Sequence, residues 1–124
     1  AGMALALRRG IGEPWSICVV RWVRSDKPEE VELGLQVVSE SCVPVSVAFR
    51  GASERTTTPA LLLPPREGRR NNAIMSPAGT YASRRFVMVR ETGQLYVAQG
   101  RVQSLDMQTA NIELYQYEID PYPI

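Results

Sequence analysis

Residues 15–36, WSICVVRWVRSDKPEEVELGLQ, constrain the fold of this chain more tightly than any other stretch. Ile17, Val19, Val20, Trp22 and Val23 form a first apolar, β-branched run. In the second run Val31, Leu33, Leu35 and Val37 alternate with Glu32, Gly34, Gln36 and Val38. A period of two places successive side chains on opposite faces of a pleated backbone, the pattern of half-buried strands. Ser25, Asp26, Lys27 and Pro28 between the runs are turn formers, so the pair reads as an antiparallel hairpin whose loop is longer than two residues.

The rest of the chain repeats that signal. Ala4 to Leu7 makes a short strand, followed by turn-prone residues 9–14. Val43, Val45, Val47 and Phe49 alternate with small residues, and Pro44 places this strand's start, or an edge, at that point because proline cannot donate to a ladder. Residues 51–58 are small and polar without periodicity. Ala60 to Leu63 is stopped by Pro64-Pro65, and a basic loop, residues 66–72, leads to Ala73-Ile74-Met75 and a turn at Pro77-Ala78-Gly79. Residues 85–90 and 95–99 read as strands around a connection containing Gly93, with Gly100 as a bulge or bend before residues 101–105 continue. Residues 111–119 alternate to close the chain, and no window of helical length carries an apolar face. Many short strands punctuated by Gly and Pro predict an all-β fold of small antiparallel β-barrels. Two β modules are expected, over residues 1–50 and 60–124, with residues 51–59 as a linker or loop; one barrel with a long excursion is the alternative.

Composition limits what such a fold can do. At 124 residues with 44% hydrophobic content the chain can bury a core, and only 7% aromatic residues make that core mainly aliphatic. Fourteen basic and thirteen acidic residues give a net charge of +1, which disfavours nucleic acid or an anionic membrane as partner. Apolar runs fall far short of the roughly 20 residues of a membrane span. Cys18 and Cys42 sit among apolar neighbours and read as plain buried thiols. No signal peptide is visible, since Ala1 to Leu7 lacks a charged start and a long apolar stretch, and the opening Ala1-Gly2-Met3 reads as a cut from a longer protein.

Chemistry is narrowed by absence. The chain contains no histidine, which removes Ser-His-Asp and Cys-His arrangements and any His-containing zinc site, and two cysteines are too few for an all-cysteine site. Glu29, Glu30 and Glu32 cluster at a charged hairpin end and read as solvated surface. Phosphate-binding glycine motifs do not occur. The reading is therefore of a protein that is not an enzyme and needs no cofactor. Arginines remain: Arg8-Arg9, Arg21 with Arg24, Arg66 with Arg69-Arg70, and Arg84-Arg85 supply guanidinium pairs suited to phosphate or to stacking on a base. Trp22 beside Arg21 reads as barrel wall, with a ligand face as the alternative.

CVVRWVR, a charged turn and VELGLQVV together resemble the late hairpin of the PilZ family, in which a V-x-W strand is followed by an E-[LV]-G-[LIV] strand. The resemblance covers about residues 1–50, as the C-terminal part of a PilZ-like barrel followed by a further β module. It implies a small barrel that binds cyclic di-GMP, through an R-x-x-x-R element ahead of the barrel and a [DN]-x-S-x-x-G element on its surface. Of the second element only Gly2 falls within this chain; the serine and the acidic or amide residue would precede Ala1, and the arginine element would lie further upstream. Arg66 and Arg70 match R-x-x-x-R literally, and Ser76 to Gly79 matches S-x-x-G, but Ile74 stands where Asp or Asn is required and the two elements lie too close together.

The expectation is a non-enzymatic regulatory module of a bacterial, cytoplasmic cyclic di-GMP signalling protein with an incomplete ligand site. Gly2, Arg8, Arg9 and Arg21 are its candidate ligand-binding residues, and a protein partner or neighbouring domain is its expected contact. The alternative is a ligand-free β-scaffold that presents edge strands and aliphatic faces to another protein.

Overall fold

The computed structural model describes residues 1–49, 57–79, 85–90, 93 and 95–120. Most of the expected linker, all but Gly93 of the connection at 91–94, Arg84, and the Pro-rich end at 121–124 lie outside the described residues.

Every element is a strand. β1 (Ala4–Leu7), β2 (Ser16–Lys27) and β3 (Glu30–Ser39) form a three-stranded antiparallel sheet in the order β1-β2-β3. β4 (Val43–Phe49), β5 (Thr58–Leu63), β6 (Ala73–Pro77), β7 (Arg85–Arg90), β8 (Tyr96–Gln108) and β9 (Ile112–Ile119) close into a six-stranded antiparallel barrel in the order β4-β5-β6-β9-β8-β7. The fold is thus all-β, as the alternation predicts. The chain passes from sheet to barrel between Ser39 and Val43, so β4 is a stave of the barrel.

The barrel is filled by the inward residues of its six strands. Val45, Val47, Phe49, Ala60, Ile74, Phe86, Met88, Ala98, Val102, Tyr115 and Tyr117 make one buried cluster. Its centre is aromatic: the Phe86 ring lies 5.6 Å from Phe49, 6.2 Å from Tyr115 and 5.4 Å from Tyr117, the two tyrosines edge-on to it. Gly100 is no bulge or bend. It pairs directly with Phe86, and a Cβ there would lie 2.6 Å from the Phe86 ring, so glycine makes room for the aromatic. The bulges of β8 come later, between Val102 and Ser104 and between Leu105 and Met107. Pro44 pairs with Leu61 on one side, while β7 begins to pair with β4 only at Ser46, so its missing donor interrupts no described pairing.

Three strands of the barrel bury apolar side chains on both faces, with Ser76 and Glu113 as a buried polar pair between β6 and β9. Along β5, β6 and β9 the residues that alternate with the inward set are Leu61, Leu63, Ala73, Met75, Ile112 and Leu114. They point outward and pack with Ala4, Ile17, Val19 and Val38 of the sheet in a second cluster. The uninterrupted runs Leu61-Leu62-Leu63 and Ala73-Ile74-Met75 record this double burial, since a strand with one wet face alternates.

The hairpin departs from the sequence reading in one respect. Lys27 pairs with Glu30, so the loop is the two residues Pro28 and Glu29, and Ser25, Asp26 and Lys27 belong to β2. A register shift between Arg24 and Lys27 takes up the extra residue, and the Ser25 hydroxyl donates to the carbonyls of Lys27 and Glu30 at 2.9 and 2.8 Å. Turn-forming residue types here make a bulged strand end.

Burial pushes the Tyr117 phenol up to about 12, with Tyr96 as a second, smaller cause. The fold favours the neutral phenol, so its contribution is complete below the ordinary tyrosine value near 10 and is lost as pH rises from about 10 toward 12. The thermal midpoint should therefore fall over that interval, and Tyr117→Phe should fall less steeply from pH 10 to 12. Parallel profiles for the two proteins would contradict the assignment.

Candidate functional site

The candidate site lies on the three-stranded sheet, because the expected binding residues sit on or beside β1 and β2. Pairing fixes which side chains share a face. Ala4 opposes Val19, Leu5 opposes Cys18, Val20 opposes Leu35, and Val23 opposes Leu33. One face therefore carries Ala4, Val19, Gln36, Trp22 and Gly34, and its inner end rests on the barrel through Ala4, Ile17, Val19 and Val38. The opposite face carries Met3, Leu5, Leu7, Cys18, Val20, Val23, Val31, Leu33, Leu35 and Val37, all apolar, with Ser16 beside Leu7 at its end.

That second face is bare among the described residues. Cys18 and Val20 in the central strand are buried, but around them Met3, Leu7, Val23, Val31, Leu33, Leu35 and Val37 are each more than a third exposed, Val31 to 64%. Contiguous apolar exposure of this kind marks an interaction face. Both outer edges, of β1 and of β3, have no described strand beside them.

The expected ligand residues divide between two ends of the sheet. Gly2 and Arg21 share one end: the Gly2 amide donates to Val20 O at 2.7 Å, and Arg21 follows Val20 at a register shift. Arg21 Nε donates to Gln36 Oε1 at 2.6 Å. Arg8 and Arg9 follow β1 at the other end, where Leu7 opposes Ser16. Five residues of β2 separate the ends, about 17 Å at strand rise. The Arg8 guanidinium stacks 4.5 Å over the Trp15 ring, while Arg9 is exposed in the turn. The four residues thus do not converge.

Gly2 is held from the barrel. It adopts φ +92°, and the Thr109 hydroxyl, in the β8–β9 connection, donates to its carbonyl at 2.8 Å. A Cβ at Gly2 would approach Thr109 Cβ to 2.9 Å, so a side chain is excluded by both backbone and neighbour. No signal in the sequence marks Thr109, 107 residues away, as a partner. Arg66 and Arg69, considered as phosphate ligands, turn instead onto backbone carbonyls of β3: Arg66 Nη1 donates to Val37 O and Arg69 Nη1 to Val38 O, both at 3.1 Å. Cys18 and Cys42 are free thiols, and burial pushes the Cys42 thiol up. Among the described residues no group of three or more Cys, Asp or Glu side chains is placed to hold a metal ion. No helix among them is long and apolar enough to cross a membrane.

Trp22 and Gly34 explain why the two halves of the hairpin motif travel together. They are direct cross-strand partners, and a Cβ on Gly34 would fall 2.0 Å from Trp22 Nε1. The indole lies across the glycine backbone, so a V-x-W strand calls for glycine opposite its tryptophan.

Residues 1–44 match the family model described as the middle PilZ domain of the cyclic-di-GMP receptor FimW. The PilZ resemblance expected for about residues 1–50 is thereby found on the same stretch. The match spans β1, β2 and β3 and ends two residues into β4, so it coincides with the three-stranded sheet. The sheet on this stretch and the closed six-stranded barrel that follows it are joined within one chain. No curated protein and no solved structure matches.

The Trp22–Gly34 contact yields a test with a counterintuitive sign. Alanine has the higher strand propensity, yet Gly34→Ala should destabilise the chain by about 1 kcal/mol in denaturant titrations, because the indole must leave its seat. In a Trp22→Ala background the same change should cost nothing. Equal effects in both backgrounds would show that the ring contact contributes nothing.

Proposed function

We propose that this chain carries part of a regulatory PilZ-type module of a bacterial, cytoplasmic cyclic di-GMP signalling protein, non-enzymatic, with a ligand site that is incomplete within these 124 residues. The bare apolar face of the sheet carries the reading. A sheet with ten apolar side chains on one face and no described strand beside either edge has the form of one wall of a barrel, and strands of the same polypeptide upstream of Ala1 would supply the other wall. Burial of that face is the driving force: each fully covered Val, Leu or Met side chain contributes about 1.5–3 kcal/mol.

In this reading Gly2 is the last residue of the surface element that contacts the nucleotide. Its amide and carbonyl are already bonded, to Val20 O and from the Thr109 hydroxyl, so its part in that element is to hold the positive-φ turn that ends it. Arg21, at the same end of the sheet, is taken as a phosphate contact; its Nε bond to Gln36 leaves the two terminal nitrogens for an anion, which supports that role. Arg8 and Arg9 would reach a ligand only at the far end, so of the four candidates this reading pairs Gly2 with Arg21. The remaining contacts would come from the upstream serine and arginine elements.

The second reading, a ligand-free scaffold, draws on the same bare face and open edges, which suit addition of a strand from another protein. Calorimetric titration with cyclic di-GMP separates the two. The 124-residue chain should show no binding, and a chain extended upstream through the serine and arginine elements should bind and lose affinity with Arg21→Ala. No heat from either would leave the scaffold; binding by the 124 residues alone would refute the incomplete site.

A further inference from the structure

The basic loop between β5 and β6 is the part of the sequence that the nucleotide reading does not use. Arg66 and Arg69 pair backbone to backbone, N to O at 2.9 and 2.8 Å, across a tight turn in which Gly68 takes φ +85°. Residues paired in this way send their side chains to the same face. The two guanidinium groups therefore leave the turn together, and they reach successive carbonyls, Val37 O and Val38 O, on β3.

Successive carbonyls of a regular strand point to opposite edges, so one loop could not collect both. Here Ile17 opposes Ser39 and Cys18 opposes Val37, which leaves Val38 as an extra residue in a bulge. The bulge is what makes both carbonyls available to the loop. Arg69 is only 8% exposed, and its Nη2 donates to Pro64 O at 2.9 Å, so one planar fork joins the barrel's own loop to the sheet. Burial and the neighbouring Arg66 charge pull its pKa down, while Asp106 opposes them. A lysine could not span the two carbonyls with a rigid fork.

We propose that the Arg66–Arg69 turn is a latch that fastens the bulge of β3 to the barrel and sets the position of the PilZ-type sheet against it. The basic cluster is directed to backbone carbonyls, not to an anion. The latch acts at the β3 side of the sheet, and the Thr109 bond to Gly2 fastens the β1 side. Its action does not depend on whether a nucleotide binds the sheet.

Hydrogen exchange on the 124-residue chain tests this directly. In an Arg66→Gln, Arg69→Met double variant, amides of residues 17–19 and 37–39 should exchange at least about tenfold faster, with β7 and β8 unchanged. Arg66→Gln alone alters an exposed side chain and should give a smaller acceleration at the same amides, which serves if the double variant does not fold. Unchanged exchange at the bulge, or equal acceleration in sheet and barrel, would overturn the latch. Full protection in Arg69→Lys would overturn the role of the fork. Millimolar inorganic phosphate should leave exchange as it is; protection by phosphate that the double variant loses would show an anion site in its place.

Discussion

The structure depends on a wall of three strands that buries apolar side chains on both sides. β5, β6 and β9 turn Ala60, Ile74, Tyr115 and Tyr117 into the barrel and Leu61, Leu63, Ala73, Met75, Ile112 and Leu114 onto the sheet. Neither half is free of the other: the sheet covers the wall's outer side, and the closed barrel holds that side in place for the sheet. Hydrophobic burial does not fix direction, so orientation falls to the directional bonds at the margins, Arg66 and Arg69 at β3 and Thr109 at Gly2.

The sheet is used on one side only. The inner end of one face rests on the barrel, whereas the opposite face presents aliphatic side chains from all three strands to solvent. This asymmetry falls on the stretch that matches the middle PilZ domain of FimW. A ligand site at the Gly2 and Arg21 end would sit at the rim of the barrel that such a face implies, so the completeness of the wall and the completeness of the site are one question. Surface ion pairs such as Arg24 with Glu32 decorate the hairpin tip and, being exposed, contribute little to either.

What the sequence made legible follows from how local each signal is. Period-two alternation in residues 15–39 and 43–49 marked the strands, and the Trp22, Glu32, Gly34 pattern marked the family, because cross-strand contacts within a hairpin leave their trace in adjacent runs. The two-residue loop was missed because Ser25 and Asp26 have turn chemistry but occupy a bulge. Gly100 read as a bend because its reason, the Phe86 ring across the strand, lies 14 residues away. The apolar run Leu61-Leu62-Leu63 held the clue to a two-sided wall, although periodicity alone does not say which elements cover each side. Thr109 and the bulge carbonyls of β3 left no trace, since a backbone acceptor has no residue signature.

The central claim is that the bare face of the sheet is the inner wall of a PilZ-type barrel completed upstream. Thiol labelling of a Leu33→Cys variant, followed at that peptide by mass spectrometry, tests it most directly. In the 124-residue chain Cys at this exposed position should react at close to the rate of a free thiol. In a chain extended upstream it should react slower by about a hundredfold or more, as expected for a side chain reached only through opening of a core. Equal rates in both chains would show that the upstream residues leave the face open, and would contradict the account.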